Sequence, residues 1–151
     1  MTVVRHRLEA TCPPEALWAV LSDLEAVARY NPTVREARVV DRARGVGAVR
    51  DCALEPKGRV VERVTVWEEG RAVGFEVVES DWPIRFMRWT TRIEPRPGGS
   101  LVTQDLEYQV KFGPVGWLLD QLVMRRKLRS TLDQVLAGFI AHAARGSRAA
   151  V

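Results

Sequence analysis

The sequence predicts an α+β chain, in which a curved antiparallel sheet of about seven strands carries two short helices and a long C-terminal helix over a cavity. Three observations predict it. Nearly everything from Val34 to Phe112 alternates with a period of two between turns marked by Gly and Pro. Cys12-Pro13-Pro14 stops an earlier alternating run and opens helical periodicity. Gly113-Pro114 launches one amphipathic segment that reaches about Ala144.

The elements follow in order. In Thr2 to Thr11, Val3, Arg5, Arg7 and Glu9 alternate with Val4, His6, Leu8 and Ala10, which is a strand. PPEALWAVLSD then begins a helix, because proline at a first helical position gives up an N–H that would be unpaired anyway; Leu17, Trp18, Val20 and Leu21 are its apolar side. Asp23 is the expected N-cap of a second short helix, Leu24 to Arg29. Tyr30-Asn31-Pro32 ends it, since a residue before proline disfavours helix. Strands are expected over 34–42, 48–55, 59–67, 71–79, 84–94 and 101–112, joined by short turns that favour an antiparallel meander. In the last segment Trp117, Gln121, Met124, Leu128, Leu132, Val135 and Phe139 recur by threes and fours, and Leu118, Leu122, Leu136 and Ile140 widen the stripe. One domain is expected over 2–144, with a frayed tail at 145–151.

Composition narrows the class. The 151 residues suffice for one core, and 46% apolar with 28% charged residues is usual for a globular protein. Of 23 basic residues 20 are Arg, which suggests a GC-rich bacterial genome. The net charge of +4 is a mild excess without a nucleic-acid-binding module or aromatic platforms, so no nucleic-acid partner is expected. Residues 1–11 alternate rather than form a signal, and no stretch approaches the roughly 20 apolar residues of a membrane span. Cys12 and Cys52 have no metal or redox spacing and are expected to be free thiols in the cytoplasm.

No catalytic or cofactor motif stands out. His6 and His142 have no nucleophile beside them in sequence, and two histidines with two scattered cysteines make no metal cluster. Gly45-Val46-Gly47 lacks the strand–GxGxxG–helix context of a dinucleotide site. Neither metal nor cofactor is expected. Arg125-Arg126-Lys127 reads as a solvated face near Asp120 and Asp133, or as a docking patch for anionic headgroups or an acidic carrier protein.

Strand alternation selects the inward faces. Met87, Trp89 and Thr91 form one; Leu106, Tyr108, Val110 and Phe112 the next; Val73, Phe75 and Val77 a third. The strand 59–67 has two registers. If Val60, Val64 and Val66 face in, Glu62 comes with them; in the other, Arg63 and Trp67 face in. A carboxylate inside an apolar cavity is costly unless paired or hydrated. Tyr108 would bond either a ligand oxygen or the backbone.

The order of strand, two short helices, six strands and long helix resembles the START/Bet v 1-like (SRPBCC) superfamily, and within it the bacterial polyketide cyclase/dehydrase and lipid-transport family. The resemblance is carried by PPEALWAVLSDLEAVARYNPTV, GVGAVR, GRVVERVTVWEEGRAVGFEV and KFGPVGWLLDQLVMRRKLRSTLDQVLAGF, and covers about residues 2–143. It implies a helix-grip fold, with a ligand cavity between sheet and final helix. VERVTVWEEGRAVGF is similar to the matching stretch of plant abscisic acid receptors, where the equivalent glutamate lies in the pocket, which makes Glu62 the leading polar pocket residue. In aromatase/cyclases of the same fold the other strand face carries the pocket aromatics.

The expected ligand-lining residues are therefore Glu62, Val64, Phe75, Val77, Met87, Trp89, Thr91, Tyr108, Trp117, Gln121, Met124 and Leu128, with Arg50 joining Glu62 and Tyr108 in orienting a polar end. The expected function is non-catalytic binding or transport of a small hydrophobic ligand, such as a lipid, isoprenoid, quinone or polyketide, by a monomer or homodimer open to peripheral lipid contact. The alternative is a polyketide aromatase/cyclase-dehydrase; a small interaction or toxin–antitoxin-type partner ranks third. Two or more converging ionisable groups with shifted pKa would favour catalysis, and one lone carboxylate would favour carriage.

Overall fold

Seven antiparallel strands form one sheet in the order β1-β7-β6-β5-β4-β3-β2. The computed structural model describes the backbone of residues 2–111 and 113–149, and their side chains except at 124 and 147–149. β1 (Thr2–Ala10) forms one edge, and the chain then leaves the sheet for α1 (Pro14–Leu21) and α2 (Val27–Tyr30). It returns at the opposite edge and meanders back through β2 (Val34–Val39), β3 (Val49–Leu54), β4 (Arg59–Glu68), β5 (Ala72–Ser80), β6 (Ile84–Arg96) and β7 (Gly99–Val110), which pairs with β1. The last hairpin turns on Pro97-Gly98 alone. Gly98 has φ 80°, and Pro95 and Arg96 join the ladder instead of the loop. α2 is shorter than the sequence suggested, because Asp23 accepts the Glu25 N–H at 3.3 Å in a turn ahead of it.

The final helix has three parts: α3 (Gly113–Leu119), a π-helical turn (Asp120–Met124) and α4 (Arg125–Ala149). Helix therefore continues past Ala144 into the expected tail, and Phe112 lies outside the described residues. α4 packs on α1, α2 and β1. It approaches α2 so closely that a Cβ at Gly138 would stand 2.6 Å from the Tyr30 carbonyl oxygen.

One core cluster joins sheet to helices through Leu17, Val64, Val73, Phe75, Leu136 and Phe139. A second gathers Val4, Met87, Leu106, Tyr108 and Leu132; a third, Val27, Val34, Cys52, Leu54 and Val60. Cys12 and Cys52 are both free and buried.

β4 changes face partway along. Glu62 pairs with Val77 and Val64 with Phe75, but the register then slips, so that Val66 meets Gly74 and Trp67 meets Val73. Thr65 is the extra residue, and a one-residue insertion reverses which side chains face in. Trp67 thus joins Glu62 on the inner face, its ring 5.4 Å from Trp18 of α1 at 74°. Arg63 stays exposed. Each of the two registers considered for this strand holds for one half of it.

Candidate functional site

A cavity of about 150 Å³ lies between the inner face of the sheet, α2 and α4. Strand pairing puts its wall together. Val77 stands beside Glu62, Trp89 beside Phe75 and Leu106, and Gln104 beside Thr91, so all of these project from one face. Phe75 and Trp89 stack with centroids 5.4 Å apart at 29°. Leu128, Leu132, Val135, Leu136 and Phe139 close the cavity from α4, and Leu21, Val27 and Tyr30 from the short helices.

The polar part of the wall is built around Arg50 and Glu62, direct cross-strand partners on β3 and β4. Arg50 Nε donates to Glu62 Oε2 at 2.5 Å, and another guanidinium N–H donates to the Leu24 carbonyl at 3.0 Å. The guanidinium lies 4.0 Å from the centroid of the Phe75 ring. Both residues are 6% exposed. Burial by itself would lower the Arg50 pKa, but the Glu62 carboxylate, helped by Cys52 and Tyr30, outweighs it and the net shift is upward. Tyr30 beside them is pushed up to about 12, chiefly by burial and further by Glu62 against the opposing pull of Arg50; its phenol stays neutral and able to donate.

Gln104 of β7 is the other polar wall residue of note. It is 8% exposed, and its Oε1 is buried without a hydrogen-bond partner among the described residues. An unpaired buried amide costs about 1–3 kcal/mol, so the position is poised to pair with a guest or a water.

Of the residues expected to line a cavity, Glu62, Phe75, Val77, Met87, Trp89, Thr91 and Leu128 do so. Val64 does not: it is 1% exposed and packed into the core. Tyr108 is fully buried behind the cavity, where its hydroxyl donates to Asp120, so its partner is neither ligand nor backbone. Burial first, and then that bond, raise the Tyr108 pKa above its ordinary value. Trp117 is 60% exposed, and Gln121 lies outside the cavity, accepting from Arg125 at 3.4 Å. The side chain of Met124 lies outside the described residues.

One physical cause accounts for Trp117 and Gln121. The expected stripe 117–121–124–128 assumes an uninterrupted α-helix. The π turn over Asp120–Met124 holds one extra residue, which rotates everything before it by about one position. Gly116 and Asp120 therefore face the sheet, and Trp117 and Gln121 turn away. Asp120, expected on a solvated face, is 2% exposed; it accepts from the Thr2 hydroxyl at 2.5 Å as well as from Tyr108. Nothing in the local sequence signals this. Gln104 could have been found, because it has the same strand parity as Leu106.

Among the described residues no group of three His, Cys, Asp or Glu is placed to hold a metal ion. No helix among them is long and apolar enough to cross a membrane.

Against this geometry stand the comparisons with known proteins. The family model for polyketide cyclase / dehydrase and lipid transport matches residues 1–144. No curated protein matches the chain closely enough to count as a relative. A solved structure from Thermus thermophilus is similar at TM-score 0.81 with 23% identity, covering 97% of this chain and 99% of that one. A START superfamily protein from Mycobacterium smegmatis is similar at TM-score 0.75 and 20% identity, over 93% and 97% of the two chains. Norcoclaurine synthase from Thalictrum flavum, in complex with dopamine and hydroxybenzaldehyde, is similar at TM-score 0.72 and 17% identity, over 95% and 87%. At these identities the likeness is one of fold.

Proposed function

This chain belongs to the polyketide cyclase / dehydrase and lipid transport family, and from that premise we propose that it binds or carries a small hydrophobic molecule in the cavity under α4. The observation that carries the reading is the character of the wall. It is apolar except for a few polar groups, and the two whose pKa is shifted, Arg50 and Tyr30, are both raised, away from neutrality. Arginine keeps its proton at any working pH. Glu62 is held against it at 2.5 Å, and Tyr30, with a pKa of about 12, stays a neutral donor. General acid–base chemistry asks for groups balanced near the operating pH. The carboxylate is not alone, as carriage was expected to require, and Arg50 and Tyr30 are converging groups of shifted pKa, as catalysis was expected to require. Both shifts run upward, away from neutrality, which is what supports carriage.

Size and chemistry refine the ligand class. A cavity near 150 Å³ holds about one benzene-sized guest, below the roughly 300–1,000 Å³ of pockets for larger ligands. The proposed guest is thus a single ring or short chain with a hydroxyl or N–H that donates to Gln104 Oε1. A longer lipid would have to displace α4 or leave part of itself outside. Apolar burial drives the binding at about 25 cal/mol per Å² before association costs.

Native mass spectrometry of protein from its own host, followed by denaturation, identifies any captured molecule. Thermal shifts with a graded series of phenols and short alcohols give the size limit. We expect stabilisation up to one ring, and its loss in Leu128→Trp, which fills the cavity from α4. The absence of both a released molecule and a shift with every compound would sink the reading.

One feature favours a second reading, a polyketide cyclase/dehydrase: the neutral Tyr30 phenol beside the Arg50–Glu62 pair could hold and polarise a carbonyl. That reading requires turnover of a poly-β-ketone that Tyr30→Phe abolishes while binding survives.

A further inference from the structure

Six large apolar side chains stand exposed within the short stretch that begins the final helix. Val115, Trp117, Leu118, Leu119, Leu122 and Val123 are 51–66% exposed, whereas most of the other large apolar side chains are buried or half-buried. The π turn produces this surface: by rotating Gly116 and Asp120 onto the sheet, it turns the bulky residues outward. Directly C-terminal to them come Arg125, Arg126, Lys127 and Arg129, all exposed and with no ion pair to a carboxylate among the described residues. The one carboxylate between Gly113 and Leu132 is Asp120, and it is buried on two hydroxyl donors. The outward surface of the segment is therefore apolar and cationic, without an acid.

We propose that α3 and the π turn form a docking site for the surface of an anionic lipid bilayer. Apolar side chains lying in the interface with arginine and lysine beside them is the pattern of a helix that rests on a membrane without crossing it. Trp117 is suited to the headgroup level, because its indole is apolar with one polar N–H. Each basic side chain near an anionic surface strengthens attachment, and salt weakens it. A second copy of this chain offers no matching acid from the same patch, so the charge favours an anionic lipid surface over a two-fold contact of the patch with itself. The site differs from the cavity, and its docking does not depend on what the cavity holds.

The test is co-sedimentation of the full chain with vesicles of phosphatidylcholine, and of phosphatidylcholine mixed with phosphatidylglycerol, at low and high salt. We expect binding to the mixed vesicles, loss in high salt, and a blue shift of tryptophan emission that Trp117→Phe diminishes. Arg126→Gln with Lys127→Gln lowers partitioning about twenty-five-fold, roughly fivefold per charge. Leu122→Gln, at a position 65% exposed, weakens binding while leaving the thermal midpoint unchanged. Equal binding to both vesicle types, no binding to either, or indifference to Leu122→Gln overturns the proposal. So does a concentration-dependent dimer, broken by Leu122→Gln, in a protein that ignores vesicles; the patch would then belong to a second copy.

Discussion

Replacing Arg50 by methionine isolates what the buried ion pair does. The substitution keeps most of the aliphatic volume but removes the Nε–H bond to Glu62 at 2.5 Å, the bond to the Leu24 carbonyl at 3.0 Å, and the cation over the Phe75 ring. Glu62, 6% exposed, is left as an unpaired carboxylate in an apolar wall. Removing one partner of a buried pair costs about 3–5 kcal/mol, most of it the penalty of the stranded charge. That is a large share of the roughly 5–15 kcal/mol of a typical domain, and at about 2–4 °C per kcal/mol it lowers Tm by about 6–20 °C. The double change Arg50→Met with Glu62→Leu removes both charges and should return to within about 1 kcal/mol of the parent. Urea unfolding followed by tryptophan fluorescence measures all three. A cost below about 1 kcal/mol for Arg50→Met, or a double variant worse than the single, would refute the view that these charges are desolvated and dependent on each other.

Three further outcomes follow from the same structure. Burial pushes the Cys52 thiol from 9.0 up to about 12, so the folded state keeps a proton that the unfolded chain loses. Stability should therefore be full below pH 9 and fall as pH rises toward 12, by about 1.4 kcal/mol per pH unit, a slope that Cys52→Ala flattens in thermal melts. Gly138→Ala drives a methyl group to 2.6 Å from the Tyr30 carbonyl oxygen; the strain outweighs the gain in helix propensity, and urea unfolding should show a net loss of about 1–2 kcal/mol. Tyr108→Phe strips the buried Asp120 of one donor and should cost about 1–3 kcal/mol in the same assay, with Asp120→Asn relieving part of the loss.

What could be read from the sequence was whatever depends on local period and punctuation. The seven strands, their meander and the inward faces of β5, β6 and β7 followed from alternation and from glycine and proline at the turns. Parity ties Glu62 to Val60 and Val64 but leaves two registers open for the strand, and only the resemblance of VERVTVWEEGRAVGF to the abscisic acid receptor stretch favours Glu62 inside. Its partner was harder. Arg50 stands opposite Glu62 only once the β3–β4 register is known, and register is a property of two strands together. Unbroken periodicity puts Trp117 on the wrong side of the helix, and it offers only one register or the other for the whole of β4, so that Glu62 and Trp67 could not both face in. In each case one extra residue, Thr65 in β4 or the additional residue of the π turn, inverted or rotated the faces beyond it. Asp120 shows the same limit. Only the folded approach of Thr2 and Tyr108 makes a buried place for that carboxylate.

The extra residue in the final helix also bears on how this chain can be compared with others. A straight alignment to a protein whose helix lacks the π turn runs without a gap through Asp120–Met124, yet falls out of phase before it. Positions from Arg125 onward would correspond side chain to side chain. Those in Gly113–Leu119 would be off by one, with Trp117 set against a residue that occupies the place Gly116 holds here. Roles transferred by column across that segment would be assigned to the wrong surface of the helix.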